Sequence, residues 1–107
     1  PETVRYIAAG VATYTRHSDL ETVPVCYEQC AGVWLDSFAG PEWYDADTIR
    51  AHLAAGKKVC VVSSELHKRN HEALWNLLRC SGLVDHPDLS LCTDLPEDAR
   101  DFFVGKK

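Results

Sequence analysis

Gly56-Lys57-Lys58-Val59-Cys60-Val61-Val62-Ser63-Ser64-Glu65-Leu66-His67 is the stretch on which the reading of this chain turns. A glycine that suits the end of a helix and two lysines lead into four consecutive apolar residues, and the chain then becomes abruptly polar. An apolar run without polar alternation suits a strand covered on both faces, as in a parallel sheet. The polar cluster Ser63, Ser64, Glu65 and His67 then falls at the carboxyl end of that strand, where α/β proteins bind ligands and carry out chemistry.

Similar units recur on either side. Upstream, Gly10 to Thr15 reads as a strand that leaves Arg16, His17 and Asp19 at its end. A short helix is expected next, beginning at Ser18-Asp19-Leu20-Glu21 (a capping-box spacing) or at Thr22, with Pro24 in its first turn, and stopping at Gly32. Val33-Trp34-Leu35 is a second short apolar run that ends in Asp36-Ser37-Phe38, and Ala39-Gly40-Pro41-Glu42 is a loop by composition. Asp45 or Asp47 is placed to cap a helix through Ala55 with Ile49 and Leu53 inward. Downstream, Asn70 precedes a helix carrying Ala73, Leu74, Leu77 and Leu78, with Gly82 as its stop. Leu89-Ser90-Leu91-Cys92 is the fourth strand, and Pro96 opens a last helix with Glu97 and Asp98 in its first turn, where acidic groups favour the helix dipole.

Four β-α repeats imply an α/β fold with parallel strands and right-handed crossovers. Strands laid side by side in chain order would then carry all helices on one face and leave the other open. Two architectures answer this: half of a (β/α)8 barrel, or a small doubly wound open sheet. The 107 residues suit one domain, 1–107, with 46% hydrophobic and 25% charged residues. A net charge of −5 argues against nucleic acid or an anionic membrane as partner, and no apolar run approaches a transmembrane length. Five cysteines read as reduced, buried thiols of a cytoplasmic protein. The absence of methionine and the start at Pro1 fit either a trimmed initiator or a cut inside a longer protein.

The polar residues at the strand ends carry the candidate chemistry. Glu65 and His67 are the expected catalytic pair, since a histidine beside a carboxylate serves general acid–base work. His71, four residues after His67, would suit a metal pair if one helix held both. Asp36 is the candidate ligand of a divalent metal ion. Arg16 and His17 are placed to grip a phosphate, with Ser63 and Asp94 as further substrate-binding groups. Trp34, Trp43 and Trp75 read as packing residues, and Lys57 and Lys58 as solvated ones.

Val33-Trp34-Leu35-Asp36-Ser37-Phe38, the strand ending Ser63-Ser64-Glu65-Leu66-His67, and Leu91-Cys92-Thr93-Asp94-Leu95-Pro96-Glu97 together resemble the C-terminal half of the glycerophosphodiester phosphodiesterase-like barrels, a superfamily that includes phosphatidylinositol-specific phospholipase C. Its last strand typically carries a Thr-Asp-x-Pro turn, as in Thr93-Asp94-Leu95-Pro96, and Tyr14-Thr15-Arg16-His17-Ser18-Asp19 resembles its fifth strand. The resemblance implies hydrolysis of a small phosphodiester, with Mg or Ca as cofactor. It also implies an N-terminal barrel half as complement, because the His-Arg-Gly and Glu-x-Asp elements of such enzymes are missing from this sequence. Two other readings stand beside it. One is a phosphatase of the haloacid-dehalogenase type, with Asp36 as nucleophile and Ser63, Lys68 and Asp94 in support, although Phe38 occupies the place of that family's second Asp. The other is a non-catalytic module that forms a homodimer or packs on a partner.

Overall fold

The computed structural model describes residues 14–20, 22–24, 26–38 and 43–104. Four strands, β1 (Tyr14–His17), β2 (Gly32–Leu35), β3 (Lys58–Val62) and β4 (Leu89–Cys92), form one sheet in the order β1-β2-β3-β4. Every neighbouring pair is parallel. The expected fold class is therefore the observed one. Three helices alternate with the strands: α1 (Ala46–Ala54), α2 (Glu72–Ser81) and α3 (Pro96–Val104).

The register shows where the helices lie. Thr15, Val33, Val59 and Leu89 are aligned across the sheet, as are His17, Leu35, Val61 and Leu91. Because side chains alternate along a strand, these residues share one face. Leu35, Val59 and Val61 are fully buried there against Ile49 of α1, Leu74, Trp75 and Leu78 of α2, and Ala99 of α3. Burying each large apolar side chain contributes roughly 1.5–3 kcal/mol, so this single layer holds the described fold together. Arg16, Trp34, Cys60 and Ser90 lie on the opposite face, where Arg16 and Ser90 are exposed and Trp34 and Cys60 half-buried. A sequential parallel order with the three helices gathered on one face is the arrangement of consecutive units in a (β/α)8 barrel. No reversal of strand order occurs among the described strands.

Local chemistry explains most element ends. The Asp45 carboxylate accepts the Thr48 N–H at 3.1 Å, an N-cap worth about 1 kcal/mol. Gly56 and Gly82 adopt φ of 81° and 78° after α1 and α2, the left-handed conformation that glycine takes without steric cost. The Asn70 side chain accepts the Glu72 N–H at 2.7 Å at the start of α2.

The β1–β2 connection departs from expectation. In place of a helix, its described residues hold one 3-10 turn, Tyr27–Gln29, preceded by Cys26 at φ 54°. Thr22, Val23 and Val25 are β-branched, and Pro24 lacks an N–H, so the segment is a poor helix former. Gly32 accordingly ends no helix; it opens β2, where an added Cβ would lie 2.7 Å from the Lys58 carbonyl and 2.6 Å from the Tyr14 ring. The β1 strand starts at Tyr14, and the expected strand residues 10–13, like the 39–42 loop, lie outside the described residues. Among the described residues no helix is long and apolar enough to cross a membrane.

Candidate functional site

A parallel sheet brings all four strand ends to one rim, and the polar residues after β2, β3 and β4 meet there. Asp36 follows β2 and is buried, at 4% exposure. Its Oδ1 lies 2.8 Å from His67 Nε2 and accepts the Ser37 N–H at 2.8 Å. The backbone of Asp36 is fixed as well: its N–H donates to the His17 carbonyl and its carbonyl accepts the Trp43 indole N–H at 2.8 Å. His67 is presented by the 3-10 turn Ser64–His67, which Lys68 closes at φ 60°. Arg69 then reaches back, its guanidinium donating to the Ser37 carbonyl at 2.7 Å and to that of Phe38 at 3.3 Å.

With the Asp36 carboxylate as acceptor, the hydrogen-bond network assigns the His67 proton to Nε2. Nδ1 is left as a lone-pair base with no hydrogen-bond partner among the described residues. The His67 ring lies 5.0 Å from that of Phe38, and the Arg16 guanidinium sits 5.3 Å from the same Phe38 ring. A cation from β1 and an oriented imidazole from the turn after β3 thus converge on one aromatic side chain.

Glu65 has a different place from the one its sequence position suggested. Its carboxylate accepts from Ser63 Oγ, from Thr93 Oγ1 and from the Asp94 N–H, the last at 2.9 Å. Burial pushes its pKa upward, but these hydrogen bonds together outweigh burial and hold it below the usual glutamate value. Glu65 therefore staples the ends of β3 and β4 as an anion. Ser63 is fully buried and accepts the Trp75 indole N–H at 2.8 Å, which ties the staple to the core. Asp94 is exposed and joins through its backbone. Leu95 N–H donates to Thr93 Oγ1 at 3.0 Å.

Arg16 and His17 do not share a ligand site, since adjacent strand residues point to opposite faces. His17 belongs to the helical side, with its ring 4.6 Å from Trp43 and its Nδ1 3.0 Å from His52 Nε2. His52 Nδ1 lies 2.8 Å from the Tyr27 hydroxyl. Burial lowers the pKa of both histidines; the Thr22 backbone carbonyl partly opposes this at His17, and the His17 charge reinforces it at His52. The His71 ring lies 4.1 Å from that of Trp75, tilted by 45°, so His67 and His71 have different neighbours. The thiols give a mixed picture: all five are free, Cys30 is buried and Cys80 exposed. Lys57, expected in solvent, is buried, with Nζ donating to the Cys30 carbonyl at 2.6 Å and to that of Glu28 at 3.3 Å.

Asp36, the candidate metal ligand, is engaged within the fold through one oxygen. The Asp36 oxygen that faces His67 already accepts two hydrogen bonds, and no three His, Cys, Asp or Glu residues converge among the described residues. Comparison with protein-family models, curated proteins and solved structures finds no match to this chain.

Proposed function

We propose that the carboxyl rim of this sheet is the acid–base part of a hydrolytic site for small phosphodiesters of the glycerophosphodiester type. The observation that carries the reading is the pairing of buried Asp36 with part-exposed His67, with Arg16 gathered to the same Phe38 ring. Asp36 holds the imidazole with Nε2 protonated. His67 Nδ1 takes a proton from an attacking water as its oxygen bonds to phosphorus, the ester P–O bond breaks, and the imidazolium returns the proton to the departing alcohol. Arg16 supplies the cation for the phosphodiester anion. The Thr93-Asp94-Leu95-Pro96 turn and the half-barrel order support this substrate class by resemblance.

The assay is hydrolysis of glycerophosphocholine and of a chromogenic phosphodiester by the gene product that carries this chain. Wild-type turnover that falls about 100-fold or more in His67→Gln supports the reading. Absence of turnover, or turnover unchanged by His67→Gln, overturns it.

A further inference from the structure

The geometry points to the edge of β4 that no described strand covers as a docking site for an extended segment of another polypeptide, which adds as a further parallel strand and sets a carboxylate against Arg100. This holds whether or not the rim hydrolyses phosphodiesters.

Three observations lead there. The first is the hydrogen-bond polarity of β4. Val59 N–H donates to the Asp88 carbonyl at 2.7 Å and Ser63 N–H to that of Cys92 at 2.8 Å. In a parallel ladder a residue directs its N–H and C=O to the same side, and alternate residues face opposite sides. Even-numbered residues of β4 therefore face β3, while the Leu89 carbonyl and both backbone groups of Leu91 face outward. No described strand pairs with that edge. Such a row of open donors and acceptors is a template for one more strand.

The second is a cleft of about 400 Å³ beside this edge, walled by β4, α2 and α3. Leu78, Leu89, Leu91, Ala99, Phe103 and Val104 make it predominantly apolar, and Val104 is 73% exposed. A strand laid along β4 would direct alternate side chains into this cleft, so backbone pairing supplies affinity and apolar pockets supply selectivity.

The third is charge. Among the described residues Arg100 is the one charged side chain lining the cleft, and it has no ion-pair or hydrogen-bond partner there. An incoming segment with apolar residues at alternate positions and a glutamate or aspartate opposite Arg100 matches both features. A second copy of this chain matches poorly. Its β1 would offer Thr15 and His17 on the helical face where apolar side chains are needed, and His17 is engaged by His52 and Trp43.

The test titrates the complete chain with an acetylated octapeptide that alternates valine with threonine and glutamate, and with a control carrying lysine in place of glutamate, while following backbone amide NMR signals. Saturable shifts centred on the Leu91 amide are expected with the acidic peptide. Leu91→Pro removes the outward N–H, as an edge strand tolerates, together with a side chain that packs at the margin of the core, and should weaken binding about 10-fold or more beyond Leu91→Ala, which keeps the N–H. Arg100→Glu should reverse the preference between the two peptides. No Leu91 shift at about 1 mM of either peptide, equal binding by Leu91→Pro and Leu91→Ala, or self-association through this edge in sedimentation overturns the proposal. So does displacement of the acidic peptide by dodecanoate without any change at the Leu91 amide, which would make the cleft a site for small amphipathic anions.

Discussion

His67 Nε2 lies 2.8 Å from Asp36 Oδ1 across the ends of β3 and β2, and the carboxylate is buried while the imidazole is half-exposed. A buried acceptor on one nitrogen leaves the other for solvent or substrate. The arrangement orients a base without consuming it.

Glu65 should govern acid sensitivity. Its pKa is depressed in the fold, so the unfolded chain binds the proton more readily. The stability it contributes is present above the unfolded glutamate value of about 4.3 and is lost as pH falls through the lower folded value. Glu65→Gln should cost about 2 kcal/mol at pH 7 and flatten the pH dependence of unfolding below pH 5, as measured by urea denaturation.

Ser63→Ala leaves the buried Trp75 indole N–H and one Glu65 oxygen without their partner. Loss of roughly 1–3 kcal/mol is expected, with altered near-ultraviolet circular dichroism from Trp75. Ser63→Thr keeps the hydroxyl but adds a methyl in a fully buried site, so it should recover only part of the loss.

The Tyr27–His52–His17 chain sets a second pH window. Both histidines have depressed pKa values, so the unfolded chain takes up protons first as pH falls below about 6.5, and stability declines there. His52→Gln should reduce the change in melting temperature between pH 7.5 and 5.5 relative to wild type, and histidine NMR titrations should give values below 6.5 for both rings.

Gly32→Ala tests the close approach of β1, β2 and β3. The Lys58 carbonyl 2.7 Å from the new Cβ is backbone and cannot rotate away. A cost of about 1–3 kcal/mol is expected, and trimming Tyr14 to Ala should relieve only part of it, because the ring is only one of the two clashes.

The strands and helices from Asp45 onward were legible because each carries its own punctuation: an Asp45 cap, Gly56 and Gly82 stops, Pro96 at a helix start. The first connection departs from its capping-box spacing because three β-branched residues and Pro24 disfavour a helix there, and Gly32, which resembles one more helix stop, opens a strand. The site was legible as a set of residues but not as partnerships. Asp36 and His67 both stand out at strand ends, yet they are 31 positions apart, and only the side-by-side packing of β2 and β3 joins them. Glu65 drew a catalytic role from its place beyond a buried strand, whereas Ser63, Thr93 and the Asp94 N–H occupy its oxygens. Strand alternation by itself separates Arg16 from His17 and opposes a shared grip on phosphate. Nothing local marked Arg69 or Lys57, whose partners are backbone carbonyls far along the chain.

The most direct measurement of the central claim is a double-mutant cycle on phosphodiester hydrolysis with Asp36→Asn and His67→Gln. If Asp36 acts through His67, each single variant loses most of the activity and the double variant is no slower than His67→Gln alone. Losses that multiply, or single variants that turn over at the wild-type rate, would contradict the account.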